Sequence, residues 1–258
     1  MQQFNFFEAM YKSFYSKALY RDVAVNWGGY TILYLLTLLA LSWIVGTWQI
    51  QSSLNLAFKK YSFEVFSQIP VVTIKDGKVS TPQPRPYAIY EPRSKDVAVM
   101  IDTTGKYRTL QDANASVLIT ETQVLYAGKK NEMRTYTIPS NYNRVITPVG
   151  IYSFISKFIG YLWIPIFLSC LFVSFVYRII QVYLYGLIGK LFNYFYGGTD
   201  LTYSQMTQIA MIAVTPAIVL TTLNDWFNFH YPYQLLLYFI LSLLYMFYGI
   251  VANGKRHH

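Results

Sequence analysis

The chain has 258 residues, of which 54% are hydrophobic, 19% aromatic and only 13% charged, with a formal net charge of +9. That balance departs from ordinary soluble composition toward the membrane class. The cations are scattered, with no basic arm or recognition helix, which argues against nucleic acid as a partner, and the single cysteine, Cys170, excludes an intrachain disulfide.

At the amino-terminal end Phe7, Tyr11, Phe14 and Ala18 share one helical face, while Glu8, Lys12, Lys17 and Asp22 lie largely off it. The spacing predicts an in-plane amphipathic helix before Gly28 and Gly29. Residues 29–48 then carry no charge. A run of about 18 or more such residues can cross a hydrocarbon core of roughly 30 Å as a helix, with every backbone group satisfied internally. The run begins late and lacks a small-x-small cleavage site at its end, so it reads as a retained anchor. Lys12, Lys17 and Arg21 precede it. By the positive-inside rule they hold residues 1–49 as a cytoplasmic helix plus first span, and send residues 50–156 across as an extracytoplasmic domain.

Residues 50–69 continue as an amphipathic helix, with Leu54, Phe58, Tyr61 and Val65 at helical spacing and Pro70 as the stop. On it Phe58, Lys59, Lys60 and Tyr61 form a candidate contact for a partner or for lipid headgroups. Short β-branched and aromatic runs follow at 71–74, 79, 87–90, 97–102, 117–120, 124–127 and 134–138. Asp76-Gly77 between two of them is a hairpin signal, because both residue types tolerate positive φ. Thr81-Pro82-Gln83-Pro84-Arg85-Pro86 reads as a stiff connector. The expected domain is a small, mainly antiparallel sheet beside one helix.

Ile101-Asp102-Thr103-Thr104-Gly105 invites comparison with the Asp-Thr/Ser-Gly loop of aspartic proteases, where two carboxylates share a proton. Here an extra threonine intervenes and no second copy exists. A strand ending in an Asx/Gly turn explains the motif, with Asp102 and Gly105 as its structural residues.

Residues 157–258 form the carboxy-terminal bundle, with spans expected at about 158–177, 205–224 and 232–252. The segment 179–196 admits two readings. Arg178, Gln181, Tyr185, Gly189 and Asn193 recur at helical spacing, a polar stripe suited to an amphipathic helix in the interface or over a bundle surface. The same segment is apolar enough for a fifth span, which would move Lys255 and Arg256 outside. With four spans, Arg178, Lys190, Lys255 and Arg256 all lie in the cytoplasm, with both termini. Pro216 should kink the third span, with Thr215 re-satisfying the freed backbone. Trp226, Phe227, Phe229, Tyr231 and Tyr233 form an aromatic belt.

Asp200 and Asp225 fall at span ends, so a proton relay at bilayer depth is not expected. Asp225 with His230 is a weak basis for a metal or acid–base site, and His257 and His258 are terminal. Metal-protease, phosphate-loop and paired-cysteine signatures are absent. No catalytic residue, cofactor or metal site is therefore assigned.

Ser13-Phe14-Tyr15, Tyr20-Arg21, Gly28-Gly29 with Tyr34, Ile74-Lys75-Asp76-Gly77, the Asp102 motif and the segment from Gly197 to Pro216 carry a resemblance over nearly the whole chain. By these residues the chain is similar to a bacterial family of unknown function, some of whose members are labelled maltodextrin-utilisation proteins. Gly197, Gly198, Gln205 and Pro216 also resemble the Gly-Gly loop and Gln/Pro helix of the Yip/YIPF superfamily. The resemblance implies a bacterial inner-membrane protein with a non-enzymatic adaptor or membrane-organising role. The leading expectation is an accessory or scaffold protein that presents its extracytoplasmic domain to another membrane or envelope protein. A transporter or channel component, and a lipid- or envelope-handling module, are the alternatives.

Overall fold

The computed structural model describes residues 2–92, 94–128, 132–196, 199–229 and 231–254. Its elements begin with α1 (Phe6–Lys12), α2 (Lys17–Asp22), a π-helical turn (Val23–Trp27) and the long helix α3 (Tyr30–Phe66). Strands β1 (Val72–Lys75), β2 (Lys78–Ser80), β3 (Tyr87–Tyr90) and β4 (Val97–Ile101) precede a short helix α4 (Leu110–Ala113). After it come β5 (Ala115–Ile119), β6 (Gln123–Ala127), β7 (Met133–Thr137) and β8 (Arg144–Ile146). The remaining helices are α5 (Pro148–Tyr161), α6 (Trp163–Tyr196), α7 (Tyr203–Ala213), α8 (Thr215–Phe227) and α9 (Gln234–Ala252). Two compact units divide the chain, Met1–Gln51 with Leu162–His258, and Ser52–Tyr161. Four helical segments are long and apolar enough to cross a membrane: Tyr30–Phe66, Pro148–Phe195, Tyr203–Phe227 and Gln234–Ala252.

In the helical unit, the single amino-terminal helix expected from the spacing is two short ones. Asn5 and Glu8 form a capping box that starts α1, and Ser16 caps α2. Between them the Ser13 hydroxyl donates to the Met10 carbonyl, and the Ser13 carbonyl accepts from the Tyr20 hydroxyl at 2.9 Å. Ala9, Ser13, Leu19 and Tyr20 are buried, while Phe7, Tyr11 and Phe14 are exposed. Asp22, expected on the polar side, is buried too. Its carboxylate accepts from Trp27 Nε1 at 2.8 Å, Asn26 Nδ2 at 2.7 Å and the Gln3 backbone at 3.0 Å, which satisfies a charge that could not otherwise be shielded.

The core of this unit joins Leu19, Tyr20, Trp27, Tyr34 and Leu35 to Met206, Ile209, Ile212, Met246 and Ile250. Helix α9 receives the amino-terminal segment through its carboxy-terminal turn. Arg21 Nε donates to the Ala252 carbonyl at 2.6 Å, which also places a cation at the negative end of the helix dipole. Asn253 Nδ2 donates to Tyr20 and Gly249 carbonyls.

Two elements differ from expectation. Residues 179–196 are not a separate amphipathic or fifth-span helix: they continue α6 without a break past Arg178. Val182, Tyr185, Gly186 and Gly189 are buried, whereas Leu184, Leu187 and Leu191 are exposed. The stripe of polar and small residues thus faces the bundle interior and the apolar face points outward. The physical reason is steric as well as polar, since Gly186 lies against Thr207 and Tyr203, and Gly189 against Met246. In the segment Tyr203–Phe227 the kink expected at Pro216 is present as a break between two helices, α7 and α8, which meet at Val214 (φ −79, ψ −11). Pro216 sits in the first turn of α8, where a missing N–H leaves no bond unmade. The Thr215 hydroxyl does not repair the backbone; it bonds the Tyr34 hydroxyl on α3 at 2.8 Å.

The second unit holds two sheets, one ordered β2-β1-β8 and one ordered β3-β4-β5-β6-β7. Asp76 (φ 50) and Gly77 (φ 73) make the β1–β2 turn, closing the Lys75–Lys78 register. Gly77 is required there, because a Cβ would meet the Pro139 carbonyl oxygen at 2.8 Å. Every pairing is antiparallel except β4–β5, which runs parallel through the α4 crossover. Alternation along the central strands covers both faces: Ile101 and Ile119 join Val72, Ile74 and Val79, while Met100 and Leu118 join Leu110 and Ala113 of α4.

Candidate functional site

Asp102 ends β4 as the organiser of a turn. One carboxylate oxygen accepts from the Thr104 backbone at 2.8 Å and from its hydroxyl at 2.6 Å, and the other from the Tyr107 backbone at 2.7 Å. Gly105 (φ 79) supplies the positive φ that completes the loop. Burial pushes the Asp102 carboxyl pKa up, but the hydrogen bonds from Thr104, Tyr107 and Lys106 outweigh it and hold the pKa below the usual carboxylate range. Such a carboxylate is a structural acceptor, not an acid poised for chemistry.

Among the contact residues singled out on α3, Phe58 is already engaged. Its ring stacks on Tyr152 at 5.3 Å and meets Phe66 edge-on at 6.1 Å. Lys59 and Lys60 are exposed, with Lys60 Nζ 5.7 Å from the Tyr61 ring centre. Gln205 closes a capping box with Thr202 at the start of α7, accepting from the Thr202 backbone at 2.9 Å. Pro216 is buried at the α7–α8 junction. Gly197, Gly198, His230, Lys255, Arg256, His257 and His258 lie outside the described residues. Among the described residues no group of three or more His, Cys, Asp or Glu is placed to hold a metal ion. Among the described residues these positions fall in separate turns, caps and packing contacts, and no reactive set comes together.

A different cluster converges inside the helical unit. A cavity of about 100 Å³ is lined by Ser42 of α3, Ser174 and Arg178 of α6, and Thr221, Thr222 and Asp225 of α8. Arg178 Nη1 donates to Gln181 Oε1 at 2.6 Å, and Gln181 Nε2 donates to the Tyr185 hydroxyl at 2.8 Å. The guanidinium lies 5.6 Å from the Tyr177 ring centre. The ion pairs among the described residues are Lys12–Glu8 and Lys78–Glu121, so Arg178 lies in the bundle without a carboxylate at salt-bridge distance. Thr221 and Thr222 donate to the carbonyls of Ala217 and Ile218 one turn back.

Sequence reasoning saw the Arg178, Gln181, Tyr185 spacing and placed it on a separate helix in the interface or over a bundle surface. The missed signal is the opposite face: Phe172, Val173, Val176, Ile180, Leu184 and Leu187 form an equally regular apolar stripe, and both stripes cannot face the same medium.

At the edge of the five-stranded sheet, all five residues of β7 are exposed, including Met133, Arg134 and Tyr136. On its inner side β7 pairs with β6 from Gln123–Thr137 to Ala127–Met133.

A family model described as a protein of unknown function, DUF1189, matches residues 7–250. No curated protein and no solved structure matches the chain.

Proposed function

The chain belongs to the DUF1189 family, and we propose that it is a non-enzymatic accessory protein of the bacterial inner membrane that presents its β-rich unit, on the extracytoplasmic side, to a protein partner. The observation that carries this reading is the open edge of β7. An unpaired edge strand offers a row of backbone donors and acceptors, which is a ready surface for strand addition by another polypeptide. Met133 and Tyr136 add apolar and aromatic contact area beside it.

Membrane residence is supported by the polarity of α6, with polar groups inward and leucines outward, the reverse of a helix in water. The sequence resemblance to the Yip/YIPF superfamily at Gln205 and Pro216 favours the same organising role. Transport is less well supported, because the residues around the Val214 break, from Met206 to Ile218 apart from Gln208, are buried in packing.

Site-specific photocrosslinking in intact membranes tests the proposal. A photoreactive residue at Tyr136 is expected to yield a discrete adduct with one other protein, and one at exposed Lys106 is not. Equal adducts at both positions, or none at either, would remove β7 as a docking edge.

A further inference from the structure

We infer that the partner taken by the β7 edge is a second copy of this chain, paired antiparallel about Thr135; the inference rests on the reading of β7 as a docking edge. The opposite edge of the same sheet is closed. There the Gln68 side chain accepts from the Tyr90 N–H at 2.9 Å and donates to the Tyr90 carbonyl at 3.3 Å, and the β3–β4 register shifts between Ile89 and Tyr90. Both devices oppose strand addition at β3. Strand β7 has neither: among the described residues it pairs with β6 in unbroken register and has no strand on its outer side.

Its backbone polarity fixes which residues can pair. The Gly128 N–H donates to the Glu132 carbonyl at 2.6 Å, and the Ile138 N–H donates to the Thr122 carbonyl at 2.9 Å. Along an antiparallel ladder the direction of these groups alternates, so Arg134 and Tyr136 turn their backbone toward β6, while Met133, Thr135 and Thr137 turn theirs outward. Two copies related by a two-fold axis at Thr135 answer every outward group. Thr135 exchanges both backbone bonds with the partner's Thr135, and Met133 does so with the partner's Thr137. Arg134 then stands opposite the partner's Tyr136 in the non-hydrogen-bonded position, where facing side chains come closest.

Side-chain chemistry selects this register and a self partner. Arg134 and Tyr136 are exposed on one face of β7, and the ion pairs among the described residues do not include Arg134. In the pair each guanidinium meets a tyrosine ring, a cation–π contact made twice by symmetry. Moving the axis to Arg134 would set two arginines face to face. Moving it to Tyr136 would set Met133 against the partner's Pro139, which has no N–H to give. Because β7 is consumed in the contact, assembly closes at two copies. A five-residue strand pair is weak in water, and confinement of both copies to one membrane raises the local concentration at which it forms.

Disulfide crosslinking of the full chain, in a Cys170→Ser background and in membranes oxidised with copper phenanthroline, tests this. Thr135→Cys should give a linked dimer, because opposed Cα atoms of a hydrogen-bonded pair lie about 5.5 Å apart, and Lys106→Cys should not. Neither Arg134→Cys nor Tyr136→Cys should link to itself. Differently tagged copies of those two variants, co-expressed, should link to each other. Adding Arg134→Ala to Thr135→Cys should lower the dimer yield several-fold. All three β7 positions are exposed, so the fold tolerates the changes. A Thr135→Cys yield no higher than that of Lys106→Cys, or self-linking of Arg134→Cys or Tyr136→Cys, overturns the self-paired edge. A photoadduct at Tyr136 with a different protein would then leave docking at β7 standing, and loss of that adduct as well would remove both.

Discussion

Asp102 shows how one residue can resemble chemistry and serve structure. Its three accepted hydrogen bonds tie the end of β4 to the loop that leads into α4. Asp102→Asn replaces one acceptor oxygen with a donor facing a backbone N–H. The expected cost is about 1–3 kcal/mol of stability for the β-rich unit, measured by denaturant unfolding of the full chain in detergent. The native pKa lies below the ordinary aspartate value of 3.8. The carboxylate's contribution is therefore fully present above that ordinary value and is lost as pH falls through the lowered native one. Wild type and variant should converge in stability only in that acid range; a constant gap across it would mean that the charge is not what the turn uses.

Gly249 is the residue on which an element depends. A Cβ there would meet Ile209 Cγ2 and Tyr20 Cδ1, both at 2.6 Å, so α9 packs against α2 and α7 only because this position has no side chain. Gly249→Val should cost about 1–3 kcal/mol through overpacking. It should also release the amino-terminal helices, read as faster hydrogen exchange at Leu19 and Tyr20. Unchanged exchange there would show that Arg21 and Asn253 hold the segment without the close approach. Helix α6 makes the same point by its length. No proline or glycine interrupts the chain at Arg178, so local preference carries the helix through. The polar residues then find partners inside the bundle, as Arg178 does in Gln181 and Gln181 in Tyr185.

For the whole molecule the proposed orientation is the prediction that matters most. In a Cys170→Ser background, a cysteine at Ser140 should react with an impermeant maleimide added outside intact cells. One at Ser16, just before α2, should react only after permeabilisation. Labelling in the reverse order would place the β-rich unit in the cytoplasm, and the accessory reading would need a cytoplasmic partner.

Much of the architecture is written locally. Charge-free length marks the helices able to cross a membrane. β-branched runs mark β1 through β7, and Asp76-Gly77 dictates its turn because its two positive φ values suit only a few residue types. Other features depended on neighbours distant in sequence. β8, missed in the sequence, exists because residues 144–146 pair with β1 some seventy residues earlier. The parallel β4–β5 pair needs α4 to carry the chain across, and Asp22 is buried only because Trp27, Asn26 and Gln3 converge on it. The same holds for the Arg178 cavity. Periodicity defines a stripe on α6, but the side it faces is fixed by packing against α7 and α9, an energy that no single segment contains.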